Sequence, residues 1–171
     1  MAATQYLRTA LPRIFEEYEI TSILDIPCGD AHWISACIPS HMRYAGGDIV
    51  DDIVTRNRER HGGLGSFERI DIVNSSLPKA DLLLVRDCFI HLPNSMILTA
   101  VNNIRRSQIK YLATTTFPTE QSVIDIEIGG YRPVNLTLPP FRLPPPEGLF
   151  IDEDGVTPNG KHIGLWRVSS L

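Results

Sequence analysis

Four consecutive large apolar residues, Leu82-Leu83-Leu84-Val85, stand between the charged Asp81 and Arg86. A run without alternation has no polar side to turn to water. It suits a strand covered on both faces, as in a parallel sheet flanked by helices. Further segments at 20–26, 43–48, 67–70 and 110–115 read as strands, and helical patterns fall between them. Ala31 opens a short helix over 31–38 that Asp30 can cap. A second helix covers 50–61, and Met96, Ile97, Ala100, Val101 and Ile104 mark a third after the turn at Pro93-Asn94. Strands alternating with helices imply parallel pairing with right-handed crossovers, an α/β, Rossmann-like doubly wound sheet.

The ends of the chain are read differently. Leu7, Leu11, Ile14, Phe15 and Tyr18 recur at helical spacing after a possible Thr4 cap, within an N-terminal segment 1–19. Pro12 interrupts them; at about 3 kcal/mol in a helix interior, it predicts a kink or a restart. The alternation stops after Thr116. Residues 117–148 are proline-rich, with one possible short strand at 123–128. Segments 149–152 and 162–168 then read as a hairpin, its loop holding Asp154-Gly155 and Asn159-Gly160.

A chain of 171 residues suits one domain with one core. The net charge of −4 and the lack of a basic run argue against a nucleic-acid-binding surface. Cys28, Cys37 and Cys88 share no metal or redox spacing, which fits a reducing cytoplasmic compartment. The N-terminus has no signal-like core, and no apolar run approaches the roughly 20 residues that span a bilayer. His32, His41, His61 and His162 are scattered without ligand spacing, so no metal is expected.

Chemistry concentrates in four acids. Asp25, Asp48, Asp71 and Asp87 fall at or just past predicted strand ends, where open α/β sheets bind ligands. Asp25 and Asp48 lie 23 residues apart with the Gly29 turn between them. That is the layout of a nucleotide cradle, in which an acid at the tip of the second strand accepts the ribose hydroxyls. A dinucleotide site wants three glycines against the pyrophosphate. Here a single glycine is followed by Asp30, whose charge repels a pyrophosphate and tolerates an ammonium and a sulfonium. The acids together suggest a negative seat for a cationic adenosyl donor, and S-adenosylmethionine is favoured over NAD.

Three segments carry a resemblance. Residues 23–30 (Ile-Leu-Asp-Ile-Pro-Cys-Gly-Asp), 44–50 (Tyr-Ala-Gly-Gly-Asp-Ile-Val) and 81–92 (Asp-Leu-Leu-Leu-Val-Arg-Asp-Cys-Phe-Ile-His-Leu) resemble the first, second and fourth motifs of class I S-adenosylmethionine-dependent methyltransferases. Gly130-Tyr131-Arg132, Asn135-Leu136, Pro140-Phe141 and Leu143-Pro144 resemble the downstream segment of one bacterial-type branch. The first motif departs from the usual Gly-x-Gly-x-Gly by two glycines. The resemblance implies strand order three-two-one-four-five-seven-six with the last strand antiparallel. It implies that Asp25, Pro27, Cys28 and Gly29 meet the amino-acid end of S-adenosylmethionine, Asp48 the ribose, and Asp71 and Ile72 the adenine. Asp30, Ile49 and Arg86 complete the expected cofactor set.

Methyl transfer needs a positioned nucleophile, and an alcohol acceptor also needs a base. Asp87 and His91 are the candidate pair, either one serving as base with the other orienting it. Arg86 either holds an anionic group or pairs with Asp87. Residues 117–148 are expected to cover the acceptor, with Tyr131, Arg132, Asn135, Phe141 and Arg142 as candidate contacts; arginine would suit a carboxylate or phosphate. The resulting expectation is a methyltransferase acting on a small-molecule or saccharide-like acceptor, at oxygen rather than nitrogen. An NAD-linked oxidoreductase and a non-catalytic cofactor-binding scaffold are the alternatives.

Overall fold

The computed structural model describes residues 4–152 and 160–171; the turn pairs expected at 154–155 and 159 lie outside them. Seven strands form one sheet: β1 (Ser22–Asp25), β2 (Arg43–Asp48), β3 (Gly65–Arg69), β4 (Leu82–Val85), β5 (Tyr111–Thr116), β6 (Gly148–Ile151) and β7 (His162–Arg167). Their order is β3-β2-β1-β4-β5-β7-β6. The first five pair in parallel, and β7 runs antiparallel to both β5 and β6. This is the order the resemblance implied.

The apolar run accounts for the centre of the sheet. All four residues of β4 are fully buried. Leu83 and Val85 enter the core on one face, and Leu82 and Leu84 enter the core on the other. Ile23 and Leu24 of β1 divide in the same way. Helices α1 (Gln5–Glu17), α2 (His32–Ser35) and α3 (Asp51–His61) supply one face, and α4 (Asn94–Arg105) packs on the other. The amino-terminal ends of the strands are tied by Asp81. Its carboxylate accepts bonds from the main-chain N–H and hydroxyl groups of Thr21 and Ser22 and pairs with Lys110 at 2.7 Å. Burial alone would raise its pKa, but Lys110, Thr21 and Ser22 outweigh that and hold it below the ordinary range.

Several expectations need correction. The first helix runs through Pro12 without restarting. Pro12 faces solvent while Leu7, Leu11, Ile14 and Phe15 are all buried, so packing outweighs the lost hydrogen bond. Thr4 makes no side-chain capping bond. Helix α2 is four residues long rather than eight: Ala31 takes a positive φ of 52°, so the helix starts after it, and it ends at Ser35. Asp30 still caps its start, accepting the His32 N–H at 3.1 Å. Residues 123–128 form no strand. The free edge of β5 is taken by β7, so no sheet edge is open to them there.

The crossover between β5 and β6 is irregular yet firmly packed. Val134, Leu136, Phe141 and Leu143 enter the core beside α4. The Trp166 indole donates to the Pro144 carbonyl at 2.7 Å. Among the described residues, no helix is long and apolar enough to cross a membrane.

Candidate active site

The carboxyl ends of β1, β2 and β4 meet around the turn at Pro27–Gly29. Gly29 takes a φ of +51° and a Cβ there would touch nothing within 4 Å, so backbone conformation rather than crowding calls for glycine. The turn is pinned from two sides. Cys28 N–H donates to the Gly47 carbonyl of β2 at 2.9 Å. The Asn57 amide of α3 donates to the Gly29 carbonyl at 2.7 Å and reaches Cys28 Sγ at 3.5 Å. Burial, with Asp25 and Asp48 nearby, pushes the Cys28 thiol up to about 12, so it is no nucleophile at neutral pH.

Asp25 closes β1 and is 2% exposed. The Tyr44 hydroxyl donates to it at 2.9 Å. Burial raises its pKa to about 7, against the lowering effects of Tyr44 and Arg86. Asp48 closes β2, also buried. It accepts the Val50 N–H at 3.0 Å on one oxygen and the Gly29 N–H at 3.2 Å on the other. A carboxylate offers about four acceptor positions, so each oxygen keeps one to spare. Asp71 caps its own loop, accepting from Val73 N–H at 2.9 Å and the Asn74 amide at 2.8 Å.

Asp87 belongs to a closed ring of charges. Arg86 meets Asp152 through Nε at 2.9 and 3.2 Å and through Nη2 at 3.1 Å. Lys161 lies 3.2 Å from Asp152 and 2.7 Å from Asp87, and Arg86 closes the ring to Asp87 at 3.2 Å. Burial pushes Asp152 up, opposed by Arg86 and Lys161. The Arg86 guanidinium also lies over the Trp33 ring, 5.4 Å from its centroid. Asp87 itself has a φ of +54°, and its N–H donates to Thr115 Oγ1 at 2.9 Å. The expected negative seat therefore takes another form: every one of the four acids is already partnered. What the rim offers a ligand is oriented lone pairs: Asp48 and Asp71 accept from neutral N–H groups, and Asp87 is matched by Arg86 and Lys161.

Next to the turn opens a cavity of about 180 Å³, lined by Ile26, Pro27, Ile49, Ile70, Asp71, Ile72, Val73, Cys88, Leu92, Met96 and Ile128. It is smaller than the roughly 300–1,000 Å³ of pockets that enclose drug-sized ligands. Its size and its apolar walls, with Asp71 as the one charged member, suit a flat ring system.

His91 ends a short 3₁₀ turn, Phe89–His91. No hydrogen bond joins it to Asp87, so the two do not form a relay. Its Nδ1 lies 2.8 Å from the Gly130 carbonyl, and its ring lies 5.9 Å from that of Tyr131, which is 61% exposed. Three of the other expected acceptor contacts, Arg132, Asn135 and Phe141, are turned into the protein. Arg132 is buried and bonds the carbonyls of Phe89, Leu92 and Ile124 and the Asn94 side chain. Asn135 is buried and joins Pro118, Glu120 and Thr137. Phe141 is in the core, and Arg142 is an exposed turn residue with φ +52°. An arginine in a proline-rich segment reads as a ligand contact in sequence; here it supplies the donors that main-chain carbonyls of an irregular loop require. Asp152, Lys161, Trp33 and Tyr44 had no local signal, since each is defined by a partner distant in sequence.

Among the described residues, no group of three or more His, Cys, Asp or Glu side chains is arranged to hold a metal. No family model matches the chain, and no curated protein matches it in sequence. Solved structures do match in shape. Human N-acetylserotonin methyltransferase in complex with SAM superposes with a TM-score of 0.66 at 12% identity, over 94% of this chain and 51% of that one. The N-methyltransferase NodS from Bradyrhizobium japonicum WM9 gives 0.56 at 20% identity, over 67% and 68%. The methyltransferase domain of bacterial CtHen1-C gives 0.58 at 13%, over 67% and 66%. The chain thus spans about two thirds of the two bacterial chains and about half of the human one. It has the class I methyltransferase fold.

Proposed function

We propose that this chain is an S-adenosylmethionine-dependent methyltransferase that acts in the cytoplasm on a small-molecule or saccharide-like acceptor, at oxygen. The observation that carries the reading is the apolar cavity beside Asp71, set next to the Gly29 turn and the Asp48 carboxylate. The residues present fit the cofactor. Asp48 keeps acceptor positions for two ribose hydroxyls, and the cavity between Ile49, Asp71 and Ile72 takes the base. Pro27, Cys28, Gly29 and Asp30 face the amino-acid end, with Asp25 and Arg86 behind them. Structures of similar fold carry SAM in the human enzyme and S-adenosyl-L-homocysteine in NodS. Bound there, the cofactor supplies an activated methyl group on a sulfonium, a leaving group needing no protonation.

The chain's own part is positioning and proton removal. A His91 that donates Nδ1–H to the Gly130 carbonyl leaves Nε2 bare to accept a proton. We take His91 as the base, oriented by main chain. Asp87, fixed by Lys161 and Arg86, positions the acceptor. Tyr131, exposed beside His91, is the acceptor contact, with Arg142 farther along the same crossover.

Calorimetry with S-adenosylhomocysteine and with NAD tests the ligand. The homocysteine compound should bind, and Asp48→Ala should weaken it at least about a hundredfold, for the loss of two charge-assisted hydrogen bonds of roughly 1.5–3 kcal/mol each. Binding of NAD in its place would overturn the reading. Once a metabolite screen yields an acceptor, His91→Gln should lower kcat about a hundredfold while leaving S-adenosylhomocysteine affinity as it was. Full turnover by that variant removes His91 as the base. Binding without consumption of the donor by any acceptor would leave the non-catalytic scaffold.

A further inference from the structure

We propose that Ile128 forms the outer wall of the base cavity, which makes the β5–β6 crossover part of the cofactor site. This rests on the cofactor reading above. Ile128 lines the cavity, yet it is 67% exposed; Ile49 also lines it at 53%. Exposure alone does not single it out, since Ile124 of the same segment is 73% exposed; its place on the cavity wall does. The loop is held in that place. Directly after Ile128 the chain turns at Gly129, φ +82°, whose N–H donates to the His91 carbonyl at 2.9 Å. Arg132 N–H donates to Ile90 at 3.1 Å, and its guanidinium holds Phe89 and Leu92 at 3.0 and 2.9 Å. Upstream of Ile128, Asp125 accepts the Asn94 N–H at 2.8 Å.

All these bonds run to one stretch, residues 89–94, and Leu92 of that stretch lines the same cavity. The loop and the cavity floor are therefore one piece, with Ile128 held at the opening. A flat base filling the cavity would cover Ile128 and Ile49 together and recover the burial that both forgo. Arg132 and Asp125 are positioning residues for this wall.

The test compares Ile128→Ala with Ile124→Ala, a control 73% exposed and outside the cavity. Calorimetry would use S-adenosylhomocysteine and methylthioadenosine, which keeps the adenosine and lacks the amino-acid tail. Ile128→Ala should weaken both about tenfold, from the loss of about two buried methylene equivalents. Ile124→Ala should change neither, and the thermal midpoint without ligand should not move for either variant. Wild-type affinities in Ile128→Ala, or equal losses in the two variants, would overturn the wall. A loss for S-adenosylhomocysteine alone would also overturn it, by placing the contact at the tail. If the unaltered protein binds neither probe, the cofactor reading itself falls, and that result is distinct from a failure of the wall.

Discussion

Asp152→Ala is expected to destabilise the protein by about 3–5 kcal/mol. The side chain is fully buried and bridges Arg86 and Lys161, whose own side chains are 16% and 14% exposed. Removing the carboxylate leaves two largely desolvated cations with one counter-charge fewer. The cost comes from stranded charge, since a buried ion pair contributes little over well-packed apolar residues. Replacing both ends, as in Arg86→Met with Asp152→Leu, should therefore recover part of the loss. Urea unfolding with the slope held fixed measures each step. A penalty under about 1 kcal/mol for Asp152→Ala would show that the ring is relaxed by solvent.

Asp25→Asn should change how stability depends on pH. Burial lifts the Asp25 pKa from its ordinary 3.8 to about 7, so between these values the folded protein holds a proton that the unfolded chain releases. Folding then takes up a proton, and stability falls as pH rises through that window. The full term is worth about 4 kcal/mol and is complete above the folded pKa. Asparagine cannot titrate, and its oxygen can still accept from Tyr44. The variant should gain on the parent by several kcal/mol between about pH 4 and pH 8, whatever its constant offset. Parallel stability curves for the two proteins would mean that Asp25 is ionised throughout.

The sequence made the scaffold legible for a physical reason. Sheet strands here are short and bounded by charge, and Leu82–Val85 has no polar side. The acids at strand ends were equally visible, because the chain must turn there and ligands bind there. Their state was not visible. That Tyr44 reaches Asp25, or that Asp152 and Lys161 enclose Asp87, depends on strands that meet only after folding. Pro12 misled because burial of its neighbours is a tertiary quantity. Arg132 and Asn135 misled because a polar residue in an irregular segment reads as a contact, and here both serve their own loop.

The position of β7 bears on how the chain is made. It is the last of the seven strands to be synthesised, yet it lies between β5 and β6. Until it emerges from the ribosome, the outer edge of β5, Tyr111–Thr116, waits with its main-chain groups unpaired. Such an edge invites pairing with other nascent chains. A message cut short before the codon for His162 would therefore yield an adhesive sheet in place of a slightly smaller protein.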